Sequence, residues 1–172
     1  MNEISILMHL LSNKKNIHTI GVTKKEILQT LNIKNKNRNI EFQNLITHLS
    51  KYIEPLGLQI RYNPINSHWF INYDSDISEF ISVNPFENKP KLAATLFCIL
   101  VLCLKSPDGG TKIAEIQNIR KKKNIVEDIK ELEQIGYLEI EKDSNLIKLS
   151  PLIGYHLDFE KLFVKLALKL KD

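Results

Sequence analysis

Apolar residues along this chain fall into one pattern that is written twice. Ile4, Leu7, Leu10 and Leu11 recur at intervals of three and four, which predicts an amphipathic helix from Glu3 to Ser12. The polar stretch Asn13 to Ile20 is read as a loop. Thr23 stands three residues before Glu26, the spacing of a capping box, and opens a short helix with Ile27, Leu28 and Leu31 on its apolar face. Lys34 to Asn39 is polar and basic, and predicts a turn. A third helix runs from about Ile40 to Ile53 with Phe42, Leu45, Ile46, Leu49 and Ile53 inward; Pro55 and Gly57 end it. Leu58, Ile60 and Tyr62 then alternate with Gln59 and Arg61, the period of a half-buried strand. Asn63-Pro64-Ile65-Asn66 supplies a turn, and Trp69 and Ile71 alternate on the return strand. A short helical exit is expected over Asp76 to Ile81.

The second statement begins with a helix from Lys91 to Lys105, apolar nearly all round. Ser106-Pro107-Asp108-Gly109-Gly110 breaks it. Thr111 is expected to cap a helix running from Lys112 to about Ile119, with Arg120 to Lys123 as the turn after it. Asn124 opens a third helix with Ile125, Ile129, Leu132 and Ile135 inward, and Gly136 closes it. Tyr137, Leu138 and Ile140, then Leu146, Ile147 and Leu149, make a hairpin around Asp143-Ser144-Asn145. Beyond Pro151 a last amphipathic helix, Asp158 to Leu170, carries Phe159, Leu162, Phe163, Leu166 and Leu170 on one side and lysines on the other.

Helix, helix, helix, hairpin, stated twice, implies tandem modules of one architecture. That order is the winged helix, so the expected fold is mainly α with small β-hairpins (α+β), in two tandem winged-helix domains. The boundary is placed by Asn84-Pro85 and Lys89-Pro90: residues 1–83 form the N-terminal domain, 84–90 a linker, and 91–172 the C-terminal domain with its extra helix. A linker this short leads us to expect modules that pack together.

Composition narrows the function. The 172 residues are 43% hydrophobic and 26% charged, which suits a soluble globular protein. The net charge of +4 is a mild bias, too small for a dedicated polyanion binder. Cys98 and Cys103 lack metal-binding spacing and are expected as free thiols in a reducing compartment. No secretory signal is visible, and the apolar run Leu92 to Leu104 is shorter than the roughly 20 residues a bilayer requires. There is no phosphate loop, no nucleophile elbow and no zinc-protease motif, and His9, His18, His48, His68 and His156 are scattered. No enzyme, no metal and no cofactor are expected.

Two kinds of surface remain. The basic turns Lys34, Lys36 and Arg38, and Arg120, Lys121, Lys122 and Lys123, are either solvated turns or grips for DNA backbone phosphate. The helices after them begin with acid, Glu41 in one and Glu127-Asp128 in the other, which disfavours sequence-specific reading of the major groove. On the helix Lys91 to Lys105, Leu96, Ile99, Leu100 and Cys103 are assigned to the module's own core. Phe97, Val101 and Leu104 then need cover from the first module or from a partner chain. The C-terminal helix has the same two options: Phe159, Leu162, Phe163 and Leu166 either close the second module or meet a partner.

These residues resemble a known family. Leu92-Ala93-Ala94-Thr95-Leu96, then Thr111-Lys112-Ile113-Ala114-Glu115-Ile116-Gln117-Asn118-Ile119-Arg120, then Leu132-Glu133-Gln134-Ile135-Gly136-Tyr137-Leu138 are similar to the second winged helix of segregation and condensation protein B. Leu56-Gly57-Leu58-Gln59-Ile60 with Trp69-Phe70-Ile71 is similar to its first wing. The chain departs from the family after Arg120, where Lys121-Lys122-Lys123 stands in place of the usual Gly-Val. The resemblance implies a kite protein: a cytoplasmic, nucleoid-associated, non-enzymatic subunit that binds the kleisin of an SMC complex in chromosome condensation and segregation. It implies a homodimer as well; the acidic helix starts lead us to expect at most weak, non-specific DNA contact, and the short apolar run no membrane. A tandem winged-helix DNA-binding transcription regulator is the second expectation, and a winged-helix adaptor of a membrane-sorting complex the third.

Overall fold

The computed structural model describes residues 2–16, 19–34, 36–74, 86–121, 124–141 and 143–169. The expected exit helix at Asp76–Ile81, the linker's Asn84 and Pro85, and Lys122, Lys123 and Leu170 lie outside them. The chain divides into two compact units, Met1–Ser82 and Val83–Asp172.

In the first unit, α1 (Glu3–Ser12) is capped by Asn2, whose side-chain oxygen accepts the Ile4 N–H at 3.1 Å. The stretch expected as a polar loop instead forms an antiparallel ribbon, the exposed β1 (Lys14–Asn16) with the half-buried β2 (Thr19–Ile20). Neither strand alternates apolar with polar residues, so no period marked them. Next come β3 (Val22–Thr23), α2 (Lys24–Thr30), α3 (Arg38–Ile53) and a 3-10 turn at Glu54–Leu56. The wing is β4 (Leu58–Asn63) and β5 (His68–Tyr73). The sheet order is β3-β5-β4, all antiparallel, with Val22 opposite Trp69 and Trp69 opposite Tyr62.

The periodicity explains the core. Leu7 and Leu11 of α1, Ile27 of α2, and Phe42, Ile46, Leu49 and Ile53 of α3 are buried together, and Leu58, Ile60, Trp69 and Ile71 of the wing pack against them. Phe42 meets the Trp69 ring edge-on at 5.2 Å between centroids.

The second unit repeats the plan: α4 (Pro90–Lys105), β6 (Gly110–Thr111), α5 (Ile113–Arg120), α6 (Ile125–Ile135), β7 (Leu138–Glu141) and β8 (Leu146–Leu149). Its sheet order is β6-β8-β7, with Thr111 opposite Ile147 and Ile147 opposite Ile140. In both units, then, a two-residue strand before the second helix pairs with the last strand of the wing, which is the winged-helix topology. Two helices follow, α7 (Pro151–His156) and α8 (Phe159–Lys169). The first of these was not expected from the sequence, because six residues are too few to declare a helical period.

The sheet registers also align the two statements. Val22 and Thr111 occupy equivalent positions, so Gly21 matches Gly110 and Thr23 matches Lys112. This corrects the expected cap of α5. Thr23 does cap α2: its hydroxyl accepts the Glu26 N–H at 3.3 Å, while its own N–H donates to Glu26 Oε2 at 2.7 Å. Thr111 instead lies in β6. The helix starts from Lys112, whose N–H donates to Glu115 Oε2 at 2.9 Å, and the Thr111 hydroxyl donates to the same oxygen at 2.6 Å. An extra residue in the second statement moved the threonine out of the cap, but its hydroxyl still serves the capping carboxylate.

One buried polar contact joins α4 to α6. The Thr95 hydroxyl, fully buried, donates to Asp128 Oδ2 at 2.6 Å. Thr95→Val keeps the shape and removes the donor, leaving a buried carboxylate one hydrogen bond short. We expect a loss of about 1–3 kcal/mol in chemical denaturation, with Thr95→Ser losing less.

Candidate partner-binding and anion-binding surfaces

Helix α4 has two sides. Leu96, Ile99, Leu100 and Cys103 are buried, as the sequence assigned them, and Leu92 is buried as well. Burial also pushes the Cys103 thiol up to about 11, so it stays protonated and unreactive at neutral pH. Phe97 and Leu104, by contrast, are 39% and 52% exposed, and Val101 is half-buried. Spaced four and three apart, these residues lie along one line of the helix and form an apolar stripe.

On α8 the expected set separates. Phe159 is only 8% exposed, so little of its ring is open to a partner. Leu162 is half-buried. Phe163 is 39% exposed; Val164 and Leu168, exposed and four apart, share an adjoining face that the sequence reading did not assign to a partner. The Leu166 side chain lies outside the described ones. The start of α8 is set by Asp158, whose Oδ1 accepts the Lys161 N–H at 3.0 Å.

The basic turns differ between the units. Arg120 is half-buried and donates from Nη2 to the Lys91 carbonyl at 3.3 Å, so it bridges α5 to the start of α4. Lys121 is exposed, with φ +48, and its N–H closes α5 on the Gln117 carbonyl at 2.8 Å. A left-handed lysine costs roughly 1–2 kcal/mol that glycine avoids. Lys121→Gly is therefore expected to raise the unfolding free energy by about 0.5–1 kcal/mol, after glycine's own entropy cost, in a urea titration. The acids at the start of α6 also part company: Glu127 is exposed, while Asp128 is turned inward to Thr95.

In the first unit Lys34, Lys36 and Arg38 are all exposed. Lys34 and Arg38 join Lys24 and Lys25 around a groove of about 810 Å³ between α2 and the start of α3. Its apolar floor is Leu28 and Ile33. The chain turns there in a Schellman motif: Asn32 takes φ +55 and donates to the Gln29 carbonyl at 3.1 Å, and the Ile33 N–H donates to the Leu28 carbonyl at 2.9 Å. The motif brings Ile33 back beside Leu28. Sequence reading missed this groove because it assigned no role to Lys24 and Lys25. The doubled lysine after the cap was the available signal.

Glu26, the acid of α2, is already committed. Lys15 Nζ lies 2.6 Å from its Oε1, and the Thr23 N–H and hydroxyl reach its Oε2. The Lys15 contact, then the Thr23 N–H, hold its carboxyl down at about 2. Glu115 is lowered in the same way, first by the Thr111 hydroxyl and then by the Lys112 N–H. Elsewhere, the Tyr137 hydroxyl sits 3.0 Å from His156 Nδ1, and burial lowers the histidine and raises the tyrosine, so both are neutral at pH 7. Among the described residues no cluster of His, Cys, Asp or Glu is placed to hold a metal, and no helix is long and apolar enough to cross a membrane.

No protein-family model matches the chain, and no curated protein matches it. Solved structures do. A chain of the "Nse1-Nse3-Nse4 complex" is 14% identical over 75% of this chain, with a TM-score of 0.37; this chain spans 59% of that one. ScpB from Mycobacterium tuberculosis is 11% identical over 91% of this chain and 95% of its own, with a TM-score of 0.35. A conserved hypothetical protein from Chlorobium tepidum is 15% identical over 90% and 96%, with a TM-score of 0.39. Identities this low assign no residue of this chain a role.

Proposed function

We propose that this chain is a non-catalytic accessory subunit of the kite type, which binds the kleisin of an SMC complex and supports chromosome condensation and segregation at the nucleoid. The observation that carries the reading is the exposed stripe Phe97–Val101–Leu104 on a helix whose other side is already core. An apolar line of this kind fits an amphipathic segment laid along it, or a second copy of the chain. The sequence resemblance to segregation and condensation protein B supports the same reading. Against a sequence-specific DNA reader stand Glu41 and Glu127 in the first turns of α3 and α6, where such proteins place base contacts.

The test is light scattering at micromolar concentration, with and without a kleisin fragment from the same genome. We expect a dimer or a stable kleisin complex, and at least a tenfold loss of affinity in Phe97→Asp/Leu104→Asp with unchanged circular dichroism. A strict monomer that ignores the kleisin yet shifts a defined DNA site would overturn the proposal in favour of a transcription regulator.

A further inference from the structure

The groove of the first unit is a separate feature, on other helices and of other chemistry. Its floor is aliphatic, Leu28 and Ile33, and its rim is cationic, Lys24, Lys25, Lys34 and Arg38. Among the described residues none of these four cations forms an ion pair. The nearest helix acid, Glu26, is occupied by Lys15 and by the helix cap, so it does not neutralise Lys24 or Lys25. Lys24 is steadied over the Phe42 ring, 4.7 Å from its centroid. The positive end of α3 lies at Arg38 and adds to the same potential.

We propose that this groove binds an acidic peptide segment that also carries leucine-like side chains. Charge complementarity selects the acid, since four cations with no ion pair among the described residues surround the opening. The floor selects the apolar side chains, since Leu28 and Ile33 have nothing to offer a phosphate. Nucleic acid fits less well. None of the described residues lining the groove is aromatic, so they offer no platform for a base. The next recess along α3 is lined by Glu3 and Glu41, which repel a backbone continuing in that direction. An acidic peptide of one turn or two ends before it. The inference stands whether or not the stripe on α4 binds a kleisin.

Fluorescence anisotropy on the full chain tests it, with three probes at equal salt. One is a labelled peptide of alternating Glu and Leu at helical spacing, the second the same peptide with every Leu replaced by Ser, and the third a duplex DNA oligonucleotide. We expect the Glu/Leu peptide to bind best, with at least tenfold weaker binding by the serine peptide. Lys34→Glu/Arg38→Glu should weaken the Glu/Leu peptide by tenfold or more, and Phe97→Asp/Leu104→Asp should leave it unchanged. Both altered residues of the first pair are exposed, so circular dichroism should match the parent. Equal binding of the two peptides, no effect of the charge reversal, or tighter binding of the DNA would each overturn the proposal.

Discussion

Gly21→Ala is expected to destabilise the first unit by about 2–5 kcal/mol. Two costs combine. Gly21 has φ +71, a left-handed conformation that charges an alanine roughly 1–2 kcal/mol. A Cβ there would also run into the Trp69 carbonyl oxygen and lie 2.9 Å from Phe70 Cβ, atoms of the adjoining strand that cannot turn away. Overpacking of this kind adds about 1–3 kcal/mol. The control is Gly109→Ala. Gly109 has φ +65 but nothing within 4 Å of the added methyl, so only the conformational cost of about 1–2 kcal/mol applies. Urea denaturation of the two variants should separate them clearly. Equal losses would show that the close approach of β3 to β5 does not determine the cost.

Phe42→Ala is the second large effect, expected at about 3–5 kcal/mol. The ring is fully buried at the centre of the first unit's core and packs edge-on to Trp69. Its removal opens a cavity between α3 and the wing and takes away the face on which Lys24 rests. Trp69 is the chain's single tryptophan, so its fluorescence reports the loss directly. We expect a lower urea midpoint and a red-shifted native emission. An unshifted spectrum with a midpoint near the parent's would mean that the core closes over the gap.

Much of this was legible in the sequence, and the reason is local. Helical spacing named the buried faces of α1, α3 and α4, because each is a repeat within one element. Capping chemistry located Thr23, Gly136 marked the end of α6, and Gly57 marked the end of the 3-10 turn that follows α3, both through left-handed conformations. What stayed hidden depends on partners distant along the chain. β3 and β6 are two residues each and are strands only because β5 and β8 lie beside them. Thr111 passed for a cap because the pattern Thr-x-x-x-Glu differs from Thr-x-x-Glu by one residue, and only sheet register reveals the shift. The groove drew Lys24 and Lys25 from one helix and Lys34 and Arg38 from the turn and the next helix, so no single motif announced it. Phe159 shared its helical face with Phe163, yet burial separates the two, which periodicity cannot do.

The strand order has a consequence for synthesis. In each sheet the central strand is the last of the three to be made, β5 in the first unit and β8 in the second. A nascent first unit that has emerged only as far as Asn63 holds three helices and two unpaired edges, with no strand between them. Leu7, Leu11, Ile27 and Phe42 then wait on the ribosome without Trp69 and Ile71 to cover them. Folding of each unit is therefore held back until its final hairpin strand appears and then proceeds in one step, because that strand joins both edges together. A chain cut before His68 or before Leu146 loses the join as well as a strand, and such fragments should be held by chaperones or degraded; past its wing the second unit still needs α7, whose Ile153 and Tyr155 are buried.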